Sequence, residues 1–307
     1  MAAFKTPGNF SKKGENDKAL SLLLSCSMTA VTNPLNVVKV LIQVGHEPLP
    51  AKLTTTVFGS QVYRLPGLFQ YLSHIRSAEG FFGLYRGVVP RPSTVFGVLL
   101  RGWNIHLDTP DGTQKSDASI RKMCANVEAI AKATCKQTAA KCAGVVLSHP
   151  FQVITVRMVV QFVGKEAIYT GLTSSIKEIY NEHGILGFFA GLVPRIAGEV
   201  LSLWMYRSVV FIINKFFLDS EVSDPTAEVT VYTTALSQWL SSMFTYPFVV
   251  VSNNMISNNV GLAAGEPPAM PVYADWVDCF KHMRKTGNLW RGSSLFRRTV
   301  KTKPAIK

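Results

Sequence analysis

Charge is scarce in this chain, and acid is scarcer than base. Only 17% of the 307 residues are charged against 47% hydrophobic, and 32 lysines and arginines face 19 aspartates and glutamates. Soluble proteins average about 25% charged residues, and a mean hydropathy of +0.18 leans away from that class. Long hydrophobic runs are lacking too. No stretch of about 20 residues is cleanly apolar, as a single-span anchor would be. The combination points to a membrane protein whose helices carry polar stripes.

Other absences narrow the function. The five cysteines (Cys26, Cys124, Cys135, Cys142, Cys279) show no CxxC pairing, so neither a metal site nor a disulfide framework is expected. There is no HExxH, no phosphate-cradling GxxxxGK and no cluster of carboxylates, and His74, His106, His149 and His183 are scattered. No enzyme and no cofactor are therefore expected. The first 17 residues have no basic region leading into an apolar core, which argues against secretion and for a soluble N-terminal tail. A net charge of +13 could serve a nucleic-acid binder, but Lys39, Arg101, Lys136, Lys141, Arg157 and Arg207 sit inside apolar runs rather than on exposed basic segments. No nucleic-acid partner is expected.

What is present is a repeat. Apolar segments of helical length fall at residues 18–45, 91–106, 127–163, 194–217 and 231–258, separated alternately by long and short polar loops. Pro34, Pro150 and Pro247 lie deep in the odd-numbered segments, within TNPLNVVKV, SHPFQVITV and TYPFVVVSN. A proline inside a helix removes a hydrogen bond and bends it, so three matching prolines argue for three units. The long loops end in related phrases, YRGVVPR, FAGLVPR and WRGSSLFRR, whose glycines Gly87, Gly191 and Gly292 recur at intervals of roughly a hundred residues. Gly80 and Gly184 open the first two phrases. These prolines and glycines read as architecture: kinks, and tight turns from a surface helix back into the membrane. Residues 1–17 form the N-terminal tail, 18–107 repeat 1, 108–217 repeat 2, 218–292 a shortened repeat 3 and 293–307 a basic C-terminal tail too polar to cross the bilayer.

A proline-kinked helix, a loop, then acid-Gly, aromatic-base-Gly, three times over, resembles the mitochondrial carrier signature. Glu79-Gly80 through Tyr85-Arg86-Gly87 matches its second half in full; His183 and Ala190 depart from it in repeat 2. The stretches VKVLIQVGHEPLP and WRGSSLFRR resemble more narrowly the mitochondrial carrier homologues, divergent relatives of the outer membrane. The resemblance implies an all-α membrane protein with threefold carrier-like repeats, here with five transmembrane helices and the sixth missing. It also implies insertion of tail-anchored and other α-helical clients into the mitochondrial outer membrane, and docking of truncated Bid. In working carriers an acid and a base after each proline pair between repeats and close a gate. The acid positions here hold Asn36, Gln152 and Val249, and the base positions Lys39, Thr155 and Ser252, so no pair of that ring can form. A second gate needs an aromatic directly before an acid, and no Phe or Tyr in this chain precedes one.

The odd helices nevertheless keep polar faces at helical spacing: Thr29, Thr32, Asn36, Lys39 and Gln43 in the first; Gln137, Lys141, Ser148, Gln152 and Thr155 in the third; Thr234, Gln238, Ser241, Thr245 and Ser252 in the fifth, with Asn253 and Asn254 alongside. Cations at mid-bilayer cost about 2.5–3.5 kcal/mol even on lenient scales, and Glu199 is the main intramembrane acid. The remaining cations are expected to line water. Removing the sixth helix from a closed barrel leaves a polar groove open to lipid between the first and fifth helices. Its expected wall comprises Asn36, Lys39, Gln43, Arg101, Lys136, Lys141, Gln152, Arg157, Gln238, Asn253 and Asn254. Such a groove suits an insertase; the alternatives are a receptor or scaffold for pro-apoptotic proteins, a lipid scramblase and, less readily, a small-solute carrier.

Overall fold

Helices that tolerate an internal proline set the frame. The computed structural model describes residues 27–55, 59, 61–88, 127–213, 227–296 and 298–300. Helix α1 covers residues 27–44 and contains Pro34. Then follow α2 (Leu68–Glu79), α3 (Val127–Val160, containing Pro150), α4 (Leu172–His183), α5 (Leu192–Ile213), α6 (Ala227–Ser257, containing Pro247) and α7 (Trp276–Lys285). The helices expected first, third, fourth and fifth correspond to α1, α3, α5 and α6. The second, over 91–106, lies outside the described residues, and with it Arg101. Two described stretches are long and apolar enough to cross a membrane, Thr134–Val160 and Leu172–Ile213. The first lies in α3, and α5 supplies the long helix of the second.

The short helices α2, α4 and α7 are amphipathic. In α2 the buried residues are Leu68, Tyr71 and Ile75, three to four residues apart, which places them on one face. Gly80 and Gly184 terminate α2 and α4 at φ 75° and 63°, and their amides bond to the Arg76 and Tyr180 carbonyls. Each of these two glycines opens a short 3-10 turn, Phe81–Tyr85 and Gly184–Phe189.

Two features depart from the sequence reading. The first long loop holds a hairpin, β1 (Lys52–Thr55) against β2 (Gln61–Arg64), with Lys52 opposite Arg64. Within the stretch expected as a basic C-terminal tail, residues 298–300 are held against repeat 1. Residues Thr299–Val300 form β3, antiparallel to β2, giving the order β1-β2-β3, and Arg298 is only 8% exposed. Its charge reads as solvated in the sequence because its partner, Glu47, lies 251 residues away.

Apolar cores form where the odd helices meet the short ones. One joins α1, α2 and the following turn to Val159 and Phe162 at the end of α3. A second joins the end of α3 and α4, with Val44 at the end of α1, to Ile256, Val260 and Leu262 at and beyond the end of α6. The third joins Val250 and Val251 of α6 to Cys279 and Met283 of α7, and none of its members comes from α1. Two repeats thus receive an apolar plug from the next odd helix, and the third does not.

Candidate polar seam between α1 and α6

The residue before each proline does the same job with different chemistry. Asn33 donates from Nδ2 to the Leu84 and Arg86 carbonyls at 2.9 and 3.4 Å. His149 Nε2 bonds to the Ala190 carbonyl at 2.8 Å, and the Tyr246 hydroxyl donates to the Arg291 carbonyl at 2.9 Å. Each ties a kinked helix to the phrase ending its own repeat, at the residue before Gly87, Gly191 or Gly292. The register inferred from the prolines therefore holds at atomic level.

The glycines then meet the next repeat. Gly191 has φ 73°, and a Cβ there would come within 2.6 Å of the Ser252 carbonyl oxygen. Gly87, at φ 70°, would meet the Thr155 carbonyl at 3.1 Å. Both neighbours are backbone and cannot yield, so these turns need glycine twice over, for dihedral and for space. Gly292 would instead meet flexible groups, Gln43 Cγ and the Tyr246 hydroxyl, both at 3.1 Å.

Nine residues past each proline stand Gln43, Val159 and Ile256. Val159 and Ile256 are the apolar plugs of the first two cores. Gln43 takes the same place at the third junction, 1% exposed, and an apolar core would leave its amide unsatisfied. A polar knot satisfies it. Gln43 Nε2 donates to the Tyr246 hydroxyl at 3.0 Å, and Gln43 Oε1 accepts from Asn253 Nδ2 at 2.7 Å. The Gln43 carbonyl accepts from Asn254 Nδ2 at 3.1 Å and from Arg291 Nε and Nη2 at 3.1 and 2.6 Å. That carbonyl lies in the last turn of α1, where helices leave acceptors free and favour a cation. Gly45, at φ 101°, and His46 close the turn by bonding to the Ile42 and Leu41 carbonyls.

Arg291 is free to act this way because its own loop lacks an acid. In repeat 1 the equivalent Arg86 pairs with Glu79 at 2.8 Å. In repeat 3 Thr286 stands where Glu79 does, so the guanidinium crosses to repeat 1. Burial lowers the Arg291 pKa, opposed by Tyr273 and Glu47. Burial likewise lowers that of His46 to about 4, with His74 adding to the effect.

The other expected groove residues divide. Lys39 is half-buried, with its ammonium 5.4 Å from the Tyr246 ring centroid, and that ring stacks on Trp290 at 6.1 Å. Among the described residues no acid pairs with it. Asn36 bonds back to the Thr32 carbonyl at 2.9 Å. Gln152 is half-buried; Lys136 and Gln238 are exposed. Much of the remaining stripe is satisfied within its own helix, as in Thr32 to Met28, Thr138 to Thr134 and Thr155 to Phe151, each at 2.8 Å. Two cations depart from the sequence reading. Lys141 is not unpaired: Glu199 on α5 lies 3.1 Å away. Arg157 does not face a groove. It is 1% exposed and reaches the Ile256 carbonyl, the Tyr169 hydroxyl and Glu182, because it lies past the stripe where α3 enters the second core.

Sequence reasoning missed Tyr246, Arg291 and Glu47. Tyr246 was legible from its place before Pro247; the long-range partners of Arg291 and Glu47 left no local signal.

Comparisons with known proteins agree with this geometry. The profile of the mitochondrial carrier protein family matches residues 18–98 and 129–221. The chain is 45% identical over 288 residues to Mitochondrial carrier homolog 2 of Homo sapiens, covering 92% of this chain and 95% of that protein. It is 38% identical over 300 residues to Mitochondrial carrier homolog 1 of Mus musculus, covering 92% and 77%. Mitochondrial glycine transporter A of Danio rerio is 28% identical over 152 residues, 48% of each chain. Together with the threefold register of prolines, glycines and carbonyl ties, these matches show that the chain belongs to the mitochondrial carrier homologue family, among the mitochondrial carrier proteins.

Proposed function

We propose that this protein inserts tail-anchored and other α-helical proteins into the mitochondrial outer membrane through a hydrated groove along the α1–α6 seam. The observation that supports this most is the third junction: where the other two are plugged by Val159 and Ile256, this one holds Gln43, Asn253, Asn254, Arg291 and the ammonium of Lys39. Polar groups at a helix seam in lipid draw in water and headgroups. That lowers the barrier for a short hydrophilic tail, while its apolar helix slides sideways into lipid. The flanking faces suit this: Met28, Val31 and Leu35 on α1 and Leu236, Trp239, Met243 and Phe244 on α6 are exposed.

A solute carrier fits less well. Asn36, Gln152 and Val249 stand where gate acids would be, so alternating access has no electrostatic latch. No covalent chemistry is involved. Lys39 offers a transient contact for a carboxylate or phosphate, and the backbone-satisfied hydroxyls offer weak, replaceable ones. The outer membrane as the site of action rests on the resemblance to the homologue family.

Reconstitution tests the reading. The purified protein in liposomes, offered a labelled tail-anchored protein, should protect the client's C-terminal tag from protease above the level of empty liposomes, and Lys39→Glu should change the yield severalfold. Client bound at the surface with its tag unprotected would favour a receptor for proteins such as truncated Bid. Equilibration of labelled lipid without tag protection would favour a scramblase.

A further inference from the structure

Residues 291–296 and 298–300 cross from repeat 3 onto repeat 1 and are held there at several points. Arg291 caps the end of α1 at the Gln43 carbonyl. The Leu68 amide donates to the Leu295 carbonyl at 3.1 Å, and the Leu65 amide to the Arg298 carbonyl at 2.9 Å. Arg298 pairs with Glu47 and donates from Nη2 to the Pro66 carbonyl at 2.7 Å. Leu295 packs against the core of repeat 1, and the Phe296 ring lies 6.2 Å from Phe69. Strand β3 then extends the hairpin, with Val300 opposite Tyr63.

In repeats 1 and 2 the matching phrase runs on through a Pro-Arg pair, and in repeat 2 that pair lies in the first turn of α5. In repeat 3 the sequence after Gly292 is SSLFRR, without that proline, and residues 293–296 and 298–300 are not helical. The contacts of Leu295, Phe296, Arg298 and β3 are all with repeat 1, and the stretch is tied to α6 at its start, where the Tyr246 hydroxyl donates to the Arg291 carbonyl. No apolar plug from α1 does so at the third core.

We propose that residues Arg291–Val300 are a latch that holds the loop end of the α1–α6 seam shut, and that releasing it widens the seam. The Glu47–Arg298 pair is its releasable element. It joins a 7% exposed guanidinium to a 23% exposed carboxylate, and it is incompletely satisfied, since Glu47 Oε2 and Arg298 Nε are buried without a hydrogen-bond partner. The rest of the latch is carbonyl capping and a two-residue strand, neither of which forms a fold by itself. The latch stands on geometry alone; its consequence for traffic through the groove rests on the insertion reading above.

Hydrogen exchange in lipid nanodiscs tests it with the full chain. In Glu47→Arg the amides of Leu65 and Leu68, which face the latch, and those of Gly45 and His46, at the end of α1, should exchange at least about tenfold faster. The exchanged pair Glu47→Arg with Arg298→Glu should recover most of that protection, and Arg298→Lys, which keeps the charge but not the two-pronged reach, should fall between. Unchanged exchange in Glu47→Arg overturns the latch. Faster exchange at Leu65 and Leu68 with Gly45 and His46 unaffected overturns its hold on the seam. If Glu47→Arg does not fold, Arg298→Lys alone decides by the same four amides. Insertion yield in the same variants is a separate readout: exchange that responds while insertion stays flat keeps the latch and removes the groove reading.

Discussion

Two junctions in this molecule occupy equivalent places and are built from opposite materials. Where repeat 2 meets repeat 3, Ile256 plugs an apolar core, Gly191 lies against the α6 backbone, and Ser202 and Ser241 bond at 3.0 Å between α5 and α6. Where repeat 3 meets repeat 1, the plug is Gln43, and amide, hydroxyl and guanidinium groups do most of the joining, with Val44 adding an apolar contact in the core of Ile256. The first kind depends on close fit and tolerates almost no added atom. The second depends on satisfying polar atoms, and water can take over each of those bonds. Threefold geometry is kept at both, through the ties made by Asn33, His149 and Tyr246. The repeat therefore fixes position, and the side chain nine residues past the proline decides whether a junction is apolar or polar.

Substitutions that exchange these characters should have unequal effects. The largest is expected at Gly191→Ala, where the new Cβ meets a backbone oxygen at 2.6 Å with φ at 73°. Left-handed strain of roughly 1–2 kcal/mol and overpacking of roughly 1–3 kcal/mol add there. Gly292→Ala carries the same strain at φ 80° but meets movable side chains, so it should cost about half as much. Thermal unfolding of both variants in one detergent would compare them. Next comes Ile256→Gln, which makes the apolar junction resemble the polar one without supplying the partners of Gln43. A buried amide lacking them costs about 1–3 kcal/mol. Its counterpart, Gln43→Ile, strips bonds from Asn253 and Tyr246 but gains apolar burial, and should destabilise less.

Smaller effects sharpen the comparison. Lys141→Gln breaks the pair with Glu199, but both side chains are about a third exposed, 39% and 32%. After solvent screening it should cost less than about 1 kcal/mol. His46 makes the first core sensitive to acid, because its ring packs on Tyr71 and Phe162 there. Its pKa falls from 6.5 to about 4 on folding, so between those values the unfolded chain binds the extra proton. Stability should therefore decline as pH falls from 6.5 toward about 4 and be unaffected by His46 above 6.5. Unfolding midpoints across that range should flatten in His46→Gln.

The sequence shows its frame more plainly than its joints. Prolines inside apolar segments and glycines in phase mark the repeats because each reflects a backbone demand that few other residues meet. The stripe Thr32-Asn36-Lys39-Gln43 is legible because a helix places those residues on one face. What each stripe residue faces is not local information. Lys141 and Arg157 look alike as cations in an apolar run, yet Glu199 and Glu182 give them different surroundings. The third strand was hidden for the same reason: Thr299 and Val300 become a strand only against residues more than 200 positions earlier.

The direct test of the polar junction as the lateral path is photocrosslinking of an inserting client. A photoreactive residue at Asn36, on the polar face of α1, is compared with one at Trp204, 39% exposed on α5. In liposomes containing the purified protein, a tail-anchored client should form adducts with position 36 during insertion and few or none with position 204. Equal adducts at both positions, or adducts from position 204 alone, would contradict the seam as the route.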